Sequence, residues 1–403
     1  MRLAAVCFVM AAGMASAGAQ VTGFLQARQA QRMETGTFCQ GLQACSTMVR
    51  EGSAELLLER RVSKHAALTL RVDASNDDAI NRSRATLREA FADLTFGEQA
   101  SLKVGRQVLT WGVSDYLFAN DLFAKDYDAF FTGAGFDRLK RPVDAARLGT
   151  RVGGVEAEIV LSRSLGDRDP RPSRFAATAP TSVASSADNA DDRADLAVRA
   201  ATHVGGWDLA AYLASYRARE RRFFAQSTGL AHDRPRQQHL GASVAGNALG
   251  GLAWFEFALR HADDHRASVV DRHFQSSALK AIGGFSRELG SEVTATVQLQ
   301  LEMQTSRSDY LASLAPAVRP IQRLSSVAHL RLQGRWRNQT LTAGAQVFAG
   351  GEGDTHTNPF VNWSPADGWT LEGGAHVFAG RPDTRFGALK DDSNVYVLGR
   401  YSF

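Results

Sequence analysis

The chain has 403 residues, 44% hydrophobic and 22% charged, with 46 basic against 42 acidic side chains and a mean hydropathy of −0.22. Beyond the N-terminus no apolar run reaches the ~18 residues of a spanning helix, which excludes a polytopic helical membrane protein. The 22 Phe, 7 Tyr and 6 Trp exclude disorder, and a net charge of +4 without a basic run argues against nucleic acid as the main partner.

Residues 1–19 read as a secretory signal peptide. Arg2 supplies the positive start, Leu3 to Met14 the apolar stretch, and Ala15-Ser16-Ala17 or Ala17-Gly18-Ala19 the small-residue cleavage site. A buried N-terminal helix is the competing reading. Residues 20–403 then form one domain. Cys7 leaves with the signal, and the remaining pair, Cys39 and Cys45, reads in an exported chain as a disulfide closing a small loop. No histidine lies near enough to favour metal binding there.

From residue 20 onward the chain repeats one pattern. Strands are predicted at 20–31, 49–62, 65–76, 84–96, 100–111, 143–153, 154–165, 193–205 and 206–219. They continue at 236–249, 251–262, 272–287, 290–304, 323–337, 339–350, 355–364, 368–380 and 392–403. The clearest is 290–304: Val293, Ala295, Val297, Leu299, Leu301 and Met303 hold one parity, and Thr294, Thr296, Gln298, Gln300, Glu302 and Gln304 the other. Strict period two over such a length puts an apolar row on one face and a polar row on the opposite face. It exceeds the about 5–6 residues of an ordinary strand and suits a membrane crossing.

Connections alternate in length. Ser63-Lys64, Gly97 to Gln99, Gly153-Gly154, Gly205-Gly206, Gly250-Gly251, Leu289-Gly290 and Asn338 mark short turns. Between them lie long stretches near 32–48, 112–142, 166–192, 220–235, 263–271, 305–322 and 381–391. The pattern predicts an all-β transmembrane antiparallel up-and-down barrel of about eighteen strands, within about 16–20, with short periplasmic turns and long extracellular loops.

Such a barrel is too wide for its own side chains to fill. Its polar parity presents Glu51, Glu55, Glu59 and Arg61 on 49–62, and Arg147 and Arg151 on 143–153. On 323–337 it presents His329, Arg331, Gln333, Arg335 and Arg337. Charges of both signs leave ion preference open. Each one either tunes passage or merely keeps the lumen wet.

The stretch after Trp111 is unusually aromatic. Trp111, Tyr116, Phe118, Phe123, Tyr127, Phe130, Phe131 and Phe136 interleave with Asp115, Asp121, Asp126 and Asp128. That much apolar area must pack somewhere. The expectation is that 113–141 folds into the lumen as a constriction, with a short helix near Asn120 to Phe131. The polar wall would pair with Asp115, Asp121, Lys125 and Asp126, and Arg106 would partner one of the aspartates. The outer rim or a neighbouring subunit is the other possible seat, and homo-oligomerisation stays open.

Enzyme signals are poor. His261, His265 and His273 with Asp263 and Asp264 lie at a strand end and in its loop, and no G-x-S-x-G, H-E-x-x-H or P-loop pattern appears. No catalytic residue, metal or cofactor is assigned. The stretch 176–195 reads as a polar loop.

Two segments carry family resemblance. Val395, Val397, Gly399, Tyr401 and Phe403 share a parity, and the chain ends on the phenylalanine. This resembles the terminal strand of Gram-negative outer-membrane proteins, which implies recognition of Tyr401 and Phe403 by the barrel-assembly machinery. Gly105 to Gly112, Asp115, Asn120 to Phe123 and Lys125 to Tyr127 resemble a segment of uncharacterised proteobacterial porin-like barrels, often linked with exporter systems. More loosely, they resemble alginate-export-like porins. The resemblance implies an outer-membrane channel in contact with lipid, passing small-molecule solutes by passive diffusion. A structural sheath tied to an export or envelope complex is the second reading, and an outer-membrane hydrolase, with no legible Ser/His pair, the third.

Overall fold

The computed structural model describes residues 19–39, 42–170, 173–176, 194–226, 229–264, 266–269 and 271–403. The segment read as a signal peptide thus lies outside the described residues except for Ala19, and so do most of 176–195 and His265.

Twenty strands occur among these residues: β1 (Ala19–Arg32), β2 (Thr47–Ser63), β3 (Ala66–Asp77), β4 (Arg82–Phe96), β5 (Ala100–Val108), β6 (Pro142–Val152), β7 (Val155–Ser162), β8 (Asp195–Val204) and β9 (Trp207–Arg217). A small hairpin of β10 (Arg222–Gln226) and β11 (Gly229–Asp233) follows. The chain continues with β12 (Arg236–Ala248), β13 (Gly251–His261), β14 (Ala278–Glu288), β15 (Val293–Gln304), β16 (Leu324–Trp336), β17 (Leu341–Gly350), β18 (Thr355–Trp363), β19 (Trp369–Ala379) and β20 (Asn394–Ser402). Two short helices, α1 (Tyr127–Phe130) and α2 (Arg307–Ser313), sit in connections.

Eighteen of the strands form one sheet, each antiparallel to its sequence neighbours, with β9 pairing β12 across the hairpin. β1 pairs both β2 and β20, so the sheet has no free edge. Closure satisfies the backbone groups that an open edge would leave unpaired, a condition for crossing hydrocarbon.

Burial is inverted relative to a water-soluble sheet. On β15, Val297, Leu299 and Leu301 are 51%, 48% and 38% exposed, whereas Gln298, Gln300, Glu302 and Gln304 are 2%, 5%, 4% and 2% exposed. Leu196, Leu213, Leu240, Phe255, Leu330, Val361, Leu371 and Val397 extend the apolar outer surface around the wall. Each such side chain gains about 1.5–3 kcal/mol from leaving water, so this continuous band requires lipid around it. Phe96, Trp363, Trp369, Tyr401 and Phe403, all exposed, mark the short-turn end with the aromatic girdle of a membrane interface. The final strand is locked in place: the Phe403 N–H donates to Gly23 O and the Gly23 N–H to Phe403 O, both at 2.9 Å.

The short turns follow from backbone chirality. Gly153-Gly154 and Gly205-Gly206 take φ of 57° and 84°, and 57° and 85°, the two positive values that a two-residue hairpin needs to match strand twist.

Three expectations are corrected. The strand expected over 272–287 starts only at Ala278, because Ser276 and Ser277 are drawn into the loop: Ser276 Oγ donates to Arg266 O, and Ser277 Oγ accepts from the Ala262 N–H. The strand expected to reach residue 111 stops at Val108, opposite Pro142, which has no N–H to donate; the Val108 N–H donates instead to Glu89 at 3.2 Å. The connection 220–235 carries the hairpin β10–β11, where only a loop is expected. Cys39 and Cys45 are joined by a disulfide in the first long connection.

Candidate functional site

Beyond β5 the chain turns into the lumen and touches wall after wall. Trp111 packs between Phe123 and Tyr212, with ring centroids at 5.3 and 5.9 Å, and its indole N–H donates to Glu158 on β7 at 2.9 Å. The chain then arches around a single carboxylate, Glu256 on β13, which is 1% exposed. Glu256 Oε1 accepts from the N–H groups of Val113 (2.8 Å) and Ser114 (2.7 Å), and Oε2 from the N–H (3.0 Å) and side-chain amide (3.0 Å) of Asn120. Trp254 Nε1 donates to Ser114 Oγ at 3.1 Å, and Asn120 Oδ1 lies 3.1 Å from His239 Nε2. Gly241 on β12 makes this fit possible, because a Cβ there would stand 1.9 Å from Asn120 Oδ1.

The next stretch crosses to the opposite wall. Tyr116 accepts a hydrogen bond from Arg331 at 2.7 Å and packs on His329 and Phe136. Phe130 and Phe131 meet His356, His376 and Phe378, with Phe131 at 5.4, 6.3 and 5.2 Å from them. His356 and His376 are themselves 2.9 Å apart. Gly133 lies flat on the Tyr396 ring of β20. The return leg is tied by charge: Arg28 donates to Thr132 O (2.8 Å), and Arg138 pairs with Glu55 (2.8 Å) and Asp73 (3.2 Å). One side of the segment therefore rests on rings from β16–β20 and the other on ion pairs with β1–β3.

A second inward piece, residues 163–170 and 173–176, lies against the first. The Lys125 N–H donates to Asp167 at 2.7 Å, Arg168 pairs with Asp126, and Arg174 bonds Asp77 at 2.8 Å. Burial pushes the Asp167 carboxyl up to about 7, although the nearby Lys125 charge pulls the other way. Burial, then the charge of Asp167, holds the Tyr127 phenol well above its ordinary range.

Together these pieces split the interior. A cavity of about 780 Å3 lies on the β9–β18 side, and one of about 190 Å3 against β1–β5. The chain alternates between them: Lys125 and Tyr127 line the larger, Asp126 and Asp128 the smaller.

Several pairings differ from expectation. Arg106 bonds Asp144 on the adjacent β6, at 2.8 Å, and none of the segment's aspartates, because a cross-strand neighbour is nearer than the lumen centre. Asp121 pairs with Lys125 (3.2 Å) and Lys140 (3.6 Å), and Asp126 with Arg168, so their partners come from the inward loops and not from the strand wall. Lys125 bonds Phe123 O and lies over the Phe118 ring, while Asp115 stays exposed. The helix expected near 120–131 shrinks to the single turn Tyr127–Phe130, capped by Asp126 Oδ1, since Asn120 gives its N–H to Glu256 on the wall, and Phe123 and Lys125 give theirs to the carboxylates of Asp121 and Asp167.

Among the wall residues, Arg147 pairs with Glu158, while Arg151 pairs with Glu156 at the exposed short-turn end. Arg331 reaches Tyr116, whereas Arg335, two residues beyond Gln333, is exposed. Glu256, Arg138 and the His356–His376 pair are what sequence reading missed. The inward parity of Glu256, His356 and His376 was legible, and Arg138 lies within the inward segment itself, but nothing local says which lumen groups meet. His261 and His273 are not brought together, and no cluster fit for a metal ion occurs among the described residues.

No protein-family model matches the chain, and no curated protein sequence does either. Solved structures do match. OccAB3 of Acinetobacter baumannii superposes with a TM-score of 0.57 at 10% identity over 96% of this chain and 100% of that one. OccK5 (OpdH) of Pseudomonas aeruginosa gives 0.57 at 10% identity, covering 96% and 98%, and OccK9 (OpdG) of the same organism 0.56 at 13%, again covering 96% and 98%. Matches this distant in sequence but end-to-end in structure are a likeness of fold: like those proteins, the chain is built as a closed 18-stranded antiparallel β-barrel.

Proposed function

We propose that this protein is an outer-membrane channel for the passive diffusion of small solutes, with no covalent chemistry of its own. The observation that carries the reading is the divided lumen: a barrel with an apolar outer face encloses two cavities separated by the segment 113–141. In this reading that segment is the constriction, Tyr116, Phe123, Lys125 and Tyr127 form its solute-facing relief opposite the charged walls, and Trp111 anchors its start. Residues 1–19 direct export, and Tyr401 and Phe403 present the terminal strand to the assembly machinery.

The test is electrical. Purified full-length protein in planar bilayers should give reproducible single-channel steps. A folded barrel that stays silent and copurifies with a protein partner would overturn the channel reading and favour the sheath.

A further inference from the structure

The larger cavity contains an unusual cation. Arg385, on the connection between β19 and β20, lines it and makes no hydrogen bond or ion pair with any described residue. The other cations around this space are engaged: Arg219 with Asp195 (2.8 Å), Arg260 and Lys280 with Glu302 (2.9 and 3.4 Å), and Arg272 with Glu352 (2.6 Å). The backbone that carries Arg385 is held in place, because the next residue's N–H, that of Phe386, donates to the buried Asp354 at 2.8 Å. Both Arg385 and Glu220 are exposed to the water of this space, and of the surrounding charges Glu220 is the one that most supports the guanidinium.

Glu220, just beyond β9, lines the same cavity and is likewise without an ion pair among the described residues. Asp271 joins it there, its Oδ1 accepting the His273 N–H at 2.9 Å. A guanidinium and these two carboxylates, with Asp167 and Asp169 on the same lining, thus share one space, coupled through it yet not closed on each other. Phe118, Phe274 and Phe386 add apolar lining. A simple anion drawn to Arg385 would meet Glu220 and Asp271, and a simple cation drawn to them would meet Arg385.

We propose that this cavity binds a zwitterionic solute with an apolar body, its carboxylate on Arg385, its ammonium on Glu220 and Asp271, and its body against the phenylalanines. The assignment rests on the channel reading and names the solute class that this channel prefers.

The experiment is liposome swelling with the full-length barrel, using phenylalanine, N-acetylphenylalanine (no ammonium) and phenylalaninamide (no carboxylate). Ribose serves as neutral reference, and protein-free liposomes correct for leakage through lipid. Phenylalanine should enter faster, relative to ribose, than either derivative. One solvated charge contact moves binding by up to about fivefold, so that is the scale of preference expected. Arg385→Gln should erase the advantage over the amide, and Glu220→Gln the advantage over the N-acetyl compound, while ribose entry is unchanged in both. A wild-type barrel that admits ribose but does not favour phenylalanine overturns the zwitterion site and leaves the channel standing. So does a preference that survives both substitutions. A barrel that admits none of the solutes overturns both readings.

Discussion

Glu256 receives four N–H groups from a segment that begins more than a hundred residues earlier, and it does so where water is excluded. Removing the acceptor leaves those donors buried and unmatched, each at about 1–3 kcal/mol. Glu256→Ala should therefore loosen the seating of 113–120 by about 2–4 kcal/mol, raising single-channel conductance and hydrogen exchange of those amides while the barrel stays folded. Glu256→Gln keeps one acceptor oxygen and should fall between. Asp167 carries a pH dependence. Its carboxyl is raised by burial to about 7, so the folded state holds the proton more tightly than the unfolded chain. That contribution is full below about pH 4, where both states are protonated, and is lost as pH rises through 7. Protease protection of 163–170 should be greater at pH 5 than at pH 8, and Asp167→Asn should flatten the difference. Neither residue stands out in the sequence, because a lumen glutamate and a loop aspartate acquire their roles only from what lies across the cavity.

At the level of elements, strands were far more legible than the inward segment. Lipid and water act on alternate residues, so membership of a strand is written in its own period. The boundaries that slipped, at Val108 and Ala278, are places where a neighbouring strand or loop decides where the ladder ends. The segment after Trp111 announced itself by aromatic content, and its short helix was expected though longer than it is, but its partners were not, since they depend on which strands face each other across the ring. Arg106 illustrates this: its Asp144 partner lies 38 residues away in sequence but next door in the sheet. If the segment is the constriction, deleting Val113 to Phe131 should raise conductance severalfold in a barrel that still folds. Unchanged conductance in a folded deletion mutant would assign the narrowing elsewhere.

For the molecule as a whole, the inverted burial of the wall predicts heat-modifiable migration on gels and a β-dominated circular dichroism spectrum. Substantial helix would contradict both. Closure also imposes an order of events. The strand that seals the ring, β20, follows all the other strands in the chain, and it joins the first. Residues 113–141 rest on rings and charges from both ends of the chain, so half of their seat does not exist until β16–β20 are in place. Such distant partners make slow assembly. The inward segment must wait, solvated and unseated, while the wall is built around it. A lesion near the C-terminus would then yield an open sheet with a loose plug, and a protease digesting residues 113–141 would report a fault hundreds of residues downstream.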